Sequence, residues 1–312
     1  MQTKGILAKK PQGKNRNSAV VRNLTPTAAF AVPAAIMFGV FTLFPCLIGV
    51  LTSFTNWNGI TFDLSKIDFI GIKNYIRMFT DRHVIEKITF TVTLTVVLTV
   101  IENIIGLLLG VMMRKTGRFT AIVRCLIYIP GVLSAIAMAF LWKAMLNYVG
   151  VINSTLNLFG LEDFLIHAFD TPTSCTICII IVHVWSAVGY YMIMYLSALQ
   201  GIPSELYESA MLDGANSWHQ LISITVPLIV PQIIICVMLS LINNMAIYEM
   251  ILTLTSGGPG EATRTFMFAV YQEGMEKWRV GYASALSVAF GTVIFVLNRF
   301  SRGLAKKLGV EQ

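Results

Sequence analysis

Glu205, Glu208 and Asp213 stand close together in the stretch ELYESAMLDGA, residues 205–215, between two strongly apolar runs. No lysine or arginine occurs between Lys143 and Arg264 to balance them. Carboxylates clustered in this way accept charge-assisted hydrogen bonds, which are stronger than neutral ones, from a basic partner. Other side chains of chemical interest lie within the apolar runs. Cys175 and Cys178 form a CxxC, but no second Cys or His pair stands at zinc spacing, so no metal site is expected. All five cysteines fall in apolar stretches and read as small reduced side chains rather than a disulfide framework. His183 has no convincing Ser or Cys companion for nucleophilic catalysis, and no GxxxxGK[ST] phosphate loop occurs. The chain is therefore expected to carry no catalytic residue and no cofactor.

Glu102 is the one carboxylate well inside an apolar run. A charged carboxylate at the centre of a bilayer costs about 2.5–3.5 kcal/mol on insertion scales, so this one should face protein or water. Two roles stay open for it: a hydrogen-bonding residue beside a solute path, or a structural pair with a neighbouring helix. His183, Ser186, Tyr190 and Met194 share one helical face, with Trp185 and Tyr191 nearby. Ser240, Asn244 and Tyr248 recur every four residues, with Asn243 beside them. Such a stripe either holds helices together or lines a cavity for a hydroxyl-rich solute, where amides bind hydroxyls and aromatic rings pack on sugar faces.

The elements that must position these residues follow from composition. Of 312 residues, 55% are hydrophobic and only 12% charged, against about 25% charged in a soluble domain. Lipid is the solvent this balance implies. A helix needs about 20 mainly apolar residues to cross a bilayer, and six runs qualify, near 28–52, 88–113, 119–142, 174–199, 227–248 and 280–298. Six basic residues and no acidic ones precede the first run: Lys4, Lys9, Lys10, Lys14, Arg16 and Arg22. That block is too long for a cleavable signal peptide. Before an apolar span it is read as holding the N-terminus in the cytoplasm rather than as a nucleic-acid arm. Arg114, Lys115 and Arg118 after the second run, and Arg299, Arg302, Lys306 and Lys307 after the sixth, agree with two cytoplasmic termini. The same topology puts the acidic segment inside, where orientation gives no reason for its charge.

Read physically, Ser204 is an N-cap with Glu205 in the first turn. Leu206, Tyr207, Ala210 and Met211 then share a face. Gly214 supplies the left-handed residue that ends the helix, where a Cβ would strain the backbone and push two helices apart. Ser217-Trp218-His219-Gln220 has the spacing of a capping box for a second helix leading to Pro227. An interfacial helix lying on lipid is usually rich in Lys or Arg. This acidic one suits a soluble partner with basic residues around an apolar groove.

The longer stretch IPSELYESAMLDGANSWHQLISITVPLIVP resembles the EAA loop of ABC importer permeases, matching it at Glu208, Ala210, Gly214, Ile224 and Pro227. Ser209 replaces the usual second alanine, and Val226 the usual leucine. FPCLIGVLTSFTNWNG, FIGIKNYIRMF, IYIPGVLSAIAMAFLWKAMLN and LTLTSGGPGEATRTFMFAVYQEGM resemble, in order, further parts of the sugar-permease branch. The tail lacks the glycine-rich ending of the second permease of such pairs, so the first, maltose-type subunit is the better resemblance.

The resemblance implies an all-α membrane protein with six transmembrane helices, of type I ABC importer architecture. It implies a basic cytoplasmic segment over 1–23, a permease domain over 24–303 with its coupling loop at 203–226, and a cytoplasmic tail over 304–312. Glu205, Glu208, Ala210, Asp213 and Gly214 would dock a cytoplasmic ATPase. Glu102, at a position where the family often has glutamine, would lie near the solute path with Trp185, Tyr190, Asn243, Asn244 and Tyr248. The implied partners are a second permease, two ATPase subunits, an extracellular solute-binding protein, the bilayer and a sugar or other polar solute, with no nucleic acid. The competing class is a stand-alone secondary transporter or channel, which would need no acidic docking helix.

Overall fold

A computed structural model describes residues 31–60, 63, 67–115 and 117–307. The expectations for the basic segment 1–23, for the first residues of the opening span and for residues 308–312 lie outside the described residues, as do the side chains of Arg302, Lys306 and Lys307. Apart from one isolated antiparallel bridge between Thr55 and Phe69, the regular structure of the described residues is helical. The chain divides into two units, Met1–Leu51 and Thr52–Gln312. The described part of the first is the apolar helix α1 (Ala31–Thr52), whose last residue opens the second unit. Pro45 has no N–H to give to the preceding turn, and a wider π turn over Gly39–Leu43 lies just before it.

In the second unit, α2 (Lys73–Thr80) leads through Asp81 into α3 (Arg82–Met112). The helix starts six residues before the expected 88 because Asp81 caps it, its Oδ1 accepting from the His83 N–H at 3.0 Å. α7 (Pro172–Leu199) runs close to the expected bounds and opens with a capping box between Thr171 and Ser174. α3 and α7 approach backbone to backbone at Gly106, where a Cβ would lie 2.8 Å from the Tyr191 Cβ. Leu94, Leu98, Ile179, Val182, Met138 and Ile251 form the largest buried cluster around this pair.

Two expected spans are corrected. The run 119–142 is not one helix: α4 (Arg118–Tyr128) passes into a 3₁₀ turn over Ile129–Val132, Leu133 is extended, and α5 (Ala135–Leu146) starts afresh. Pro130 removes a backbone donor, and the Ser134 hydroxyl caps the restart by accepting from the Ala137 N–H at 3.2 Å. With α6 (Val151–Leu158), the stretch long and apolar enough to cross a membrane is Ala135–Leu158. The run 227–248 is also broken. α8 (Ser204–Leu212) is followed by α9 (Ser217–Leu228) and α10 (Val230–Met245), the last two bent by 77° about Ile229. α10 ends at Met245, short of Tyr248. α11 (Glu249–Leu254), α12 (Phe266–Tyr271) and α13 (Val280–Lys307) complete the unit, the apolar part of α13 being Val280–Phe300. Among the described residues, five helical stretches are thus long and apolar enough to span, and the bent α9–α10 pair makes a sixth if counted as one.

Candidate functional site

Two polar regions emerge, one on the surface and one among the spans. At the surface, α8 closes in a full Schellman motif. Gly214 sits at φ +81°, the Ala215 N–H donates to the Ala210 carbonyl at 2.9 Å, and the Gly214 N–H to that of Met211 at 3.1 Å. The left-handed glycine is as expected. The crowding is not: a Cβ at 214 would meet no atom within 4 Å, so strain alone penalises a side chain there. The caps shift as well. Pro203 precedes α8 and Ser204 makes no cap hydrogen bond, while Asn216 rather than Ser217 caps α9, its Oδ1 accepting from the His219 N–H at 2.8 Å. Asparagine is among the strongest N-caps, and Gln220 turns instead to donate to the Ala215 carbonyl at 3.0 Å.

The turn after α3 brings a cation to α8, against an aromatic ring rather than a carboxylate. The Arg114 guanidinium lies 4.1 Å from the centre of the Tyr207 ring and donates to the Ile202 carbonyl at 3.3 Å. The Tyr207 hydroxyl is 2.9 Å from Thr225 Oγ1 on α9. Tyr207 and Ala210 thereby face inward, whereas Leu206 and Met211 are exposed and Leu212 is 90% exposed, which divides the face expected of these residues. Glu205, Glu208 and Asp213 are exposed and make no ion pair among the described residues. A concavity of about 710 Å³ beside Glu208 is lined by Arg114, Lys115, Tyr207 and Glu208 itself. The result is a capped helix pair with outward apolar side chains and with carboxylates that make no ion pair among the described residues.

Among the spans, Glu102 on α3 is fully buried. The Asn244 amide on α10 donates to Glu102 Oε2 at 3.0 Å and to Thr99 Oγ1 at 3.3 Å. That fixes the Asn244 oxygen toward α7, where it lies 2.8 Å from His183 Nε2. The same nitrogen is 3.2 Å from Glu102 Oε1, which makes no hydrogen bond of good geometry. Glu102, His183 and Asn244 tie three helices into one knot. A second link lies one turn away: the Asn103 amide donates to Ser240 Oγ at 2.9 Å and the Tyr195 hydroxyl donates to Asn103 Oδ1 at 2.6 Å. Ser240 is therefore interhelical glue.

A cavity of about 310 Å³ lies beside the knot, lined by His183, Ser186, Tyr190, Tyr191, Asn243 and Asn244, with Gly131, Leu133 and Met138 from the broken α4–α5 region. Of the residues expected on the path, Tyr190, Asn243 and Asn244 come together here with Glu102 behind them. Trp185 does not: it packs edge-on against Trp142 with ring centres 5.4 Å apart, outside the lining. Nor does Tyr248, which the end of α10 takes off the Ser240–Asn244 face and stacks against Tyr271 at 5.9 Å. Sequence reasoning missed Arg114 as the partner of Tyr207. It also set His183 aside as lacking a companion, because its partners are 61 and 81 positions away.

The family described as "Binding-protein-dependent transport system inner membrane component" matches residues 102–310, which include both polar regions. The chain belongs to that family. The permease is 31% identical over 282 residues to the multiple sugar-binding transport system permease protein MsmF of Streptococcus mutans, covering 90% of this chain and 95% of that one. It is 30% identical over 245 residues to the trehalose/maltose transport system permease protein MalF of Thermococcus litoralis, with 75% and 81% covered. Among solved structures it resembles a chain of a bacterial ABC transporter involved in the import of the acidic polysaccharide alginate. The TM-score is 0.81 at 24% identity, with 94% and 99% covered, a likeness of fold. The all-α permease fold and a multi-pass place in the inner membrane follow from membership together with the apolar helices.

Proposed function

We propose that this permease forms half of the translocation path of an ATP-driven importer for a sugar or a related polar solute, and that α8 and α9 are its docking surface for the ATPase. The observation that carries the second part is the α8–α9 pair: rigidly capped, anchored through Tyr207 and Arg114, yet presenting Leu212 and three unpaired carboxylates outward. A stand-alone transporter has no use for such a surface. Glu205, Glu208 and Asp213 offer charge-assisted hydrogen bonds, Ala210 and Gly214 shape the turn, and Leu206, Met211 and Leu212 offer apolar contact. ATP hydrolysis belongs to separate subunits, so the permease itself is not an enzyme.

The sugar assignment rests on what the names of MsmF and MalF say of those relatives, and on a cavity of amides and aromatic rings suited to hydroxyls. The working assembly in this reading pairs the chain with a second permease in a heterodimer, two ATPase subunits and an extracellular binding protein, with both termini in the cytoplasm. Residues 1–23 and 304–312 flank a permease domain over 24–303, with the coupling loop at 203–226. The deciding experiment is purification of the tagged permease from its native membrane, followed by reconstitution. An ATPase should copurify, and uptake should require both ATP and the binding protein. Uptake by the permease alone, without ATP, would establish the stand-alone class instead.

A further inference from the structure

The short helix α2 has three faces. Asn74 and Met78 are buried, and the Asn74 amide donates to the Ser53 and Thr55 carbonyls at 2.9 Å, which holds the helix against the protein. Ile72, Ile76 and Phe79 follow at four- and three-residue spacing and are exposed, Phe79 by 72%. Lys73 and Arg77, also four apart, are exposed on the remaining side. Apolar and basic residues exposed side by side are the composition of a helix lying in a membrane interface, and the opposite of acidic α8. The two helices lie at opposite ends of α3, whose 31 residues, about 46 Å of helix, suffice to cross a bilayer. Neither Lys73 nor Arg77 makes an ion pair among the described residues; Arg77 lies 4.5 Å from the centre of the Tyr282 ring. The carboxylates nearest in the chain are engaged elsewhere: Asp68 accepts from Asn56, Asp81 from the His83 N–H, and Glu86 pairs with Arg82.

Beside α2 an apolar cavity of about 450 Å³ lies between it, α3 and α13. Met78, Phe266 and Phe290 form its buried floor, and Phe79, Val92 and Val293 its exposed rim, so it opens on a face that hydrocarbon can reach. A helix is about 10–12 Å across with its side chains, so one lipid molecule can reach from the basic edge of α2 to the cavity. We propose that the cavity holds an acyl chain of an anionic phospholipid whose phosphate pairs with Lys73 and Arg77. The charge favours lipid over a neighbouring apolar helix, which would fill the cavity and leave both cations unpaired. The proposal is independent of the solute path and needs only that the chain spans the bilayer.

The test uses the intact importer reconstituted in mixed bilayers. With exposed Cys46 and Cys125 changed to Ser, a bimane is attached at Val96→Cys, an exposed position one turn from Val92 and outside the cavity lining. Chain-brominated phosphatidylglycerol quenches the label in competition with plain phosphatidylcholine, and the reverse pairing completes the relative binding constant. The anionic lipid should be favoured about tenfold, since two cations near the surface act on it. Lys73→Gln with Arg77→Gln should bring the ratio near one, and Ala289→Trp, which fills the cavity, should reduce quenching by both lipids. A ratio near one before any of these substitutions would overturn the proposal. So would a label that neither lipid quenches, the result expected if a helix of a second permease covers the cavity. A preference that survives the double substitution, or quenching that survives Ala289→Trp, in a folded complex would overturn it as well.

Discussion

At the scale of single residues, the stripe that spacing alone placed on one helix divides into three roles. Ser240 bonds Asn103, Asn244 bonds Glu102 and His183, and Tyr248 leaves the helix to stack on Tyr271. Glu102 had two open roles from its position, path residue or structural pair. The geometry places it one layer behind the cavity lining, bonded to Asn244 and beside His183. Asn244→Ala removes the one amide donor to a buried carboxylate, a loss of about 1–3 kcal/mol or more for a charged acceptor. The expected outcome is a clear fall in the thermal unfolding temperature of the detergent-solubilised permease. Trp185→Ala, outside the cavity lining, should leave uptake kinetics near wild type if the protein remains folded. A wild-type unfolding temperature for Asn244→Ala would show that the knot is not a stabilising feature. Gly214→Ala should destabilise α8 by roughly 1–2 kcal/mol through left-handed strain alone, and Gly214→Asn should lose less, since asparagine tolerates that conformation.

At the scale of elements, the apolar runs were legible because about 20 apolar residues have few uses other than crossing lipid. Their interruptions were not. Pro130 and Pro231 are tolerated in many continuous spans, so the residues themselves do not announce a break. The 77° bend at Ile229 and the restart at Ser134 are features of backbone geometry that a count of apolar residues does not register. The acidic helix and its glycine turn were readable from local signals, whereas the Arg114–Tyr207 contact spans 93 positions and left no local trace. The segment between α11 and α12 offers its own test. Lys87 on α3 lies 3.3 Å from Glu261, and Arg264 also pairs with it. Burial works to raise the Glu261 pKa, but Lys87 and Arg264 outweigh it and hold the carboxyl below its ordinary value. The stabilisation linked to this lowered pKa is present above the unfolded-state value, about 4.3, and is lost as pH falls through the folded-state value. Glu261→Gln should therefore lower the unfolding temperature at pH 7 and make a smaller difference below pH 4. Equal effects at both values would mean that the pairing carries no net stabilisation.

At the scale of the whole molecule, the account holds that the chain does no chemistry and converts ATP hydrolysis elsewhere into access for a solute. In the proposed reading its two polar regions divide that work: the α8–α9 pair for the ATPase and the cavity beside the knot for the solute. The proposed orientation has a direct check. Asn157→Cys in α6 and Ser209→Cys in α8 are both at exposed positions. In intact cells an impermeant thiol reagent should label the first and not the second. Labelling of Ser209→Cys from outside would reverse the topology and remove α8 from reach of any cytoplasmic ATPase. The central claim is tested most directly by Glu208→Lys in the purified, reconstituted importer, with retention of the ATPase and solute-stimulated ATP hydrolysis both measured. The side chain is exposed and unpaired, so the permease should fold and reach the membrane at normal levels. The account predicts that ATPase retention and stimulated hydrolysis fall together, by about tenfold or more if one buried charge-assisted contact worth roughly 1.5–3 kcal/mol is replaced by like-charge contact. Wild-type retention and stimulation would contradict it.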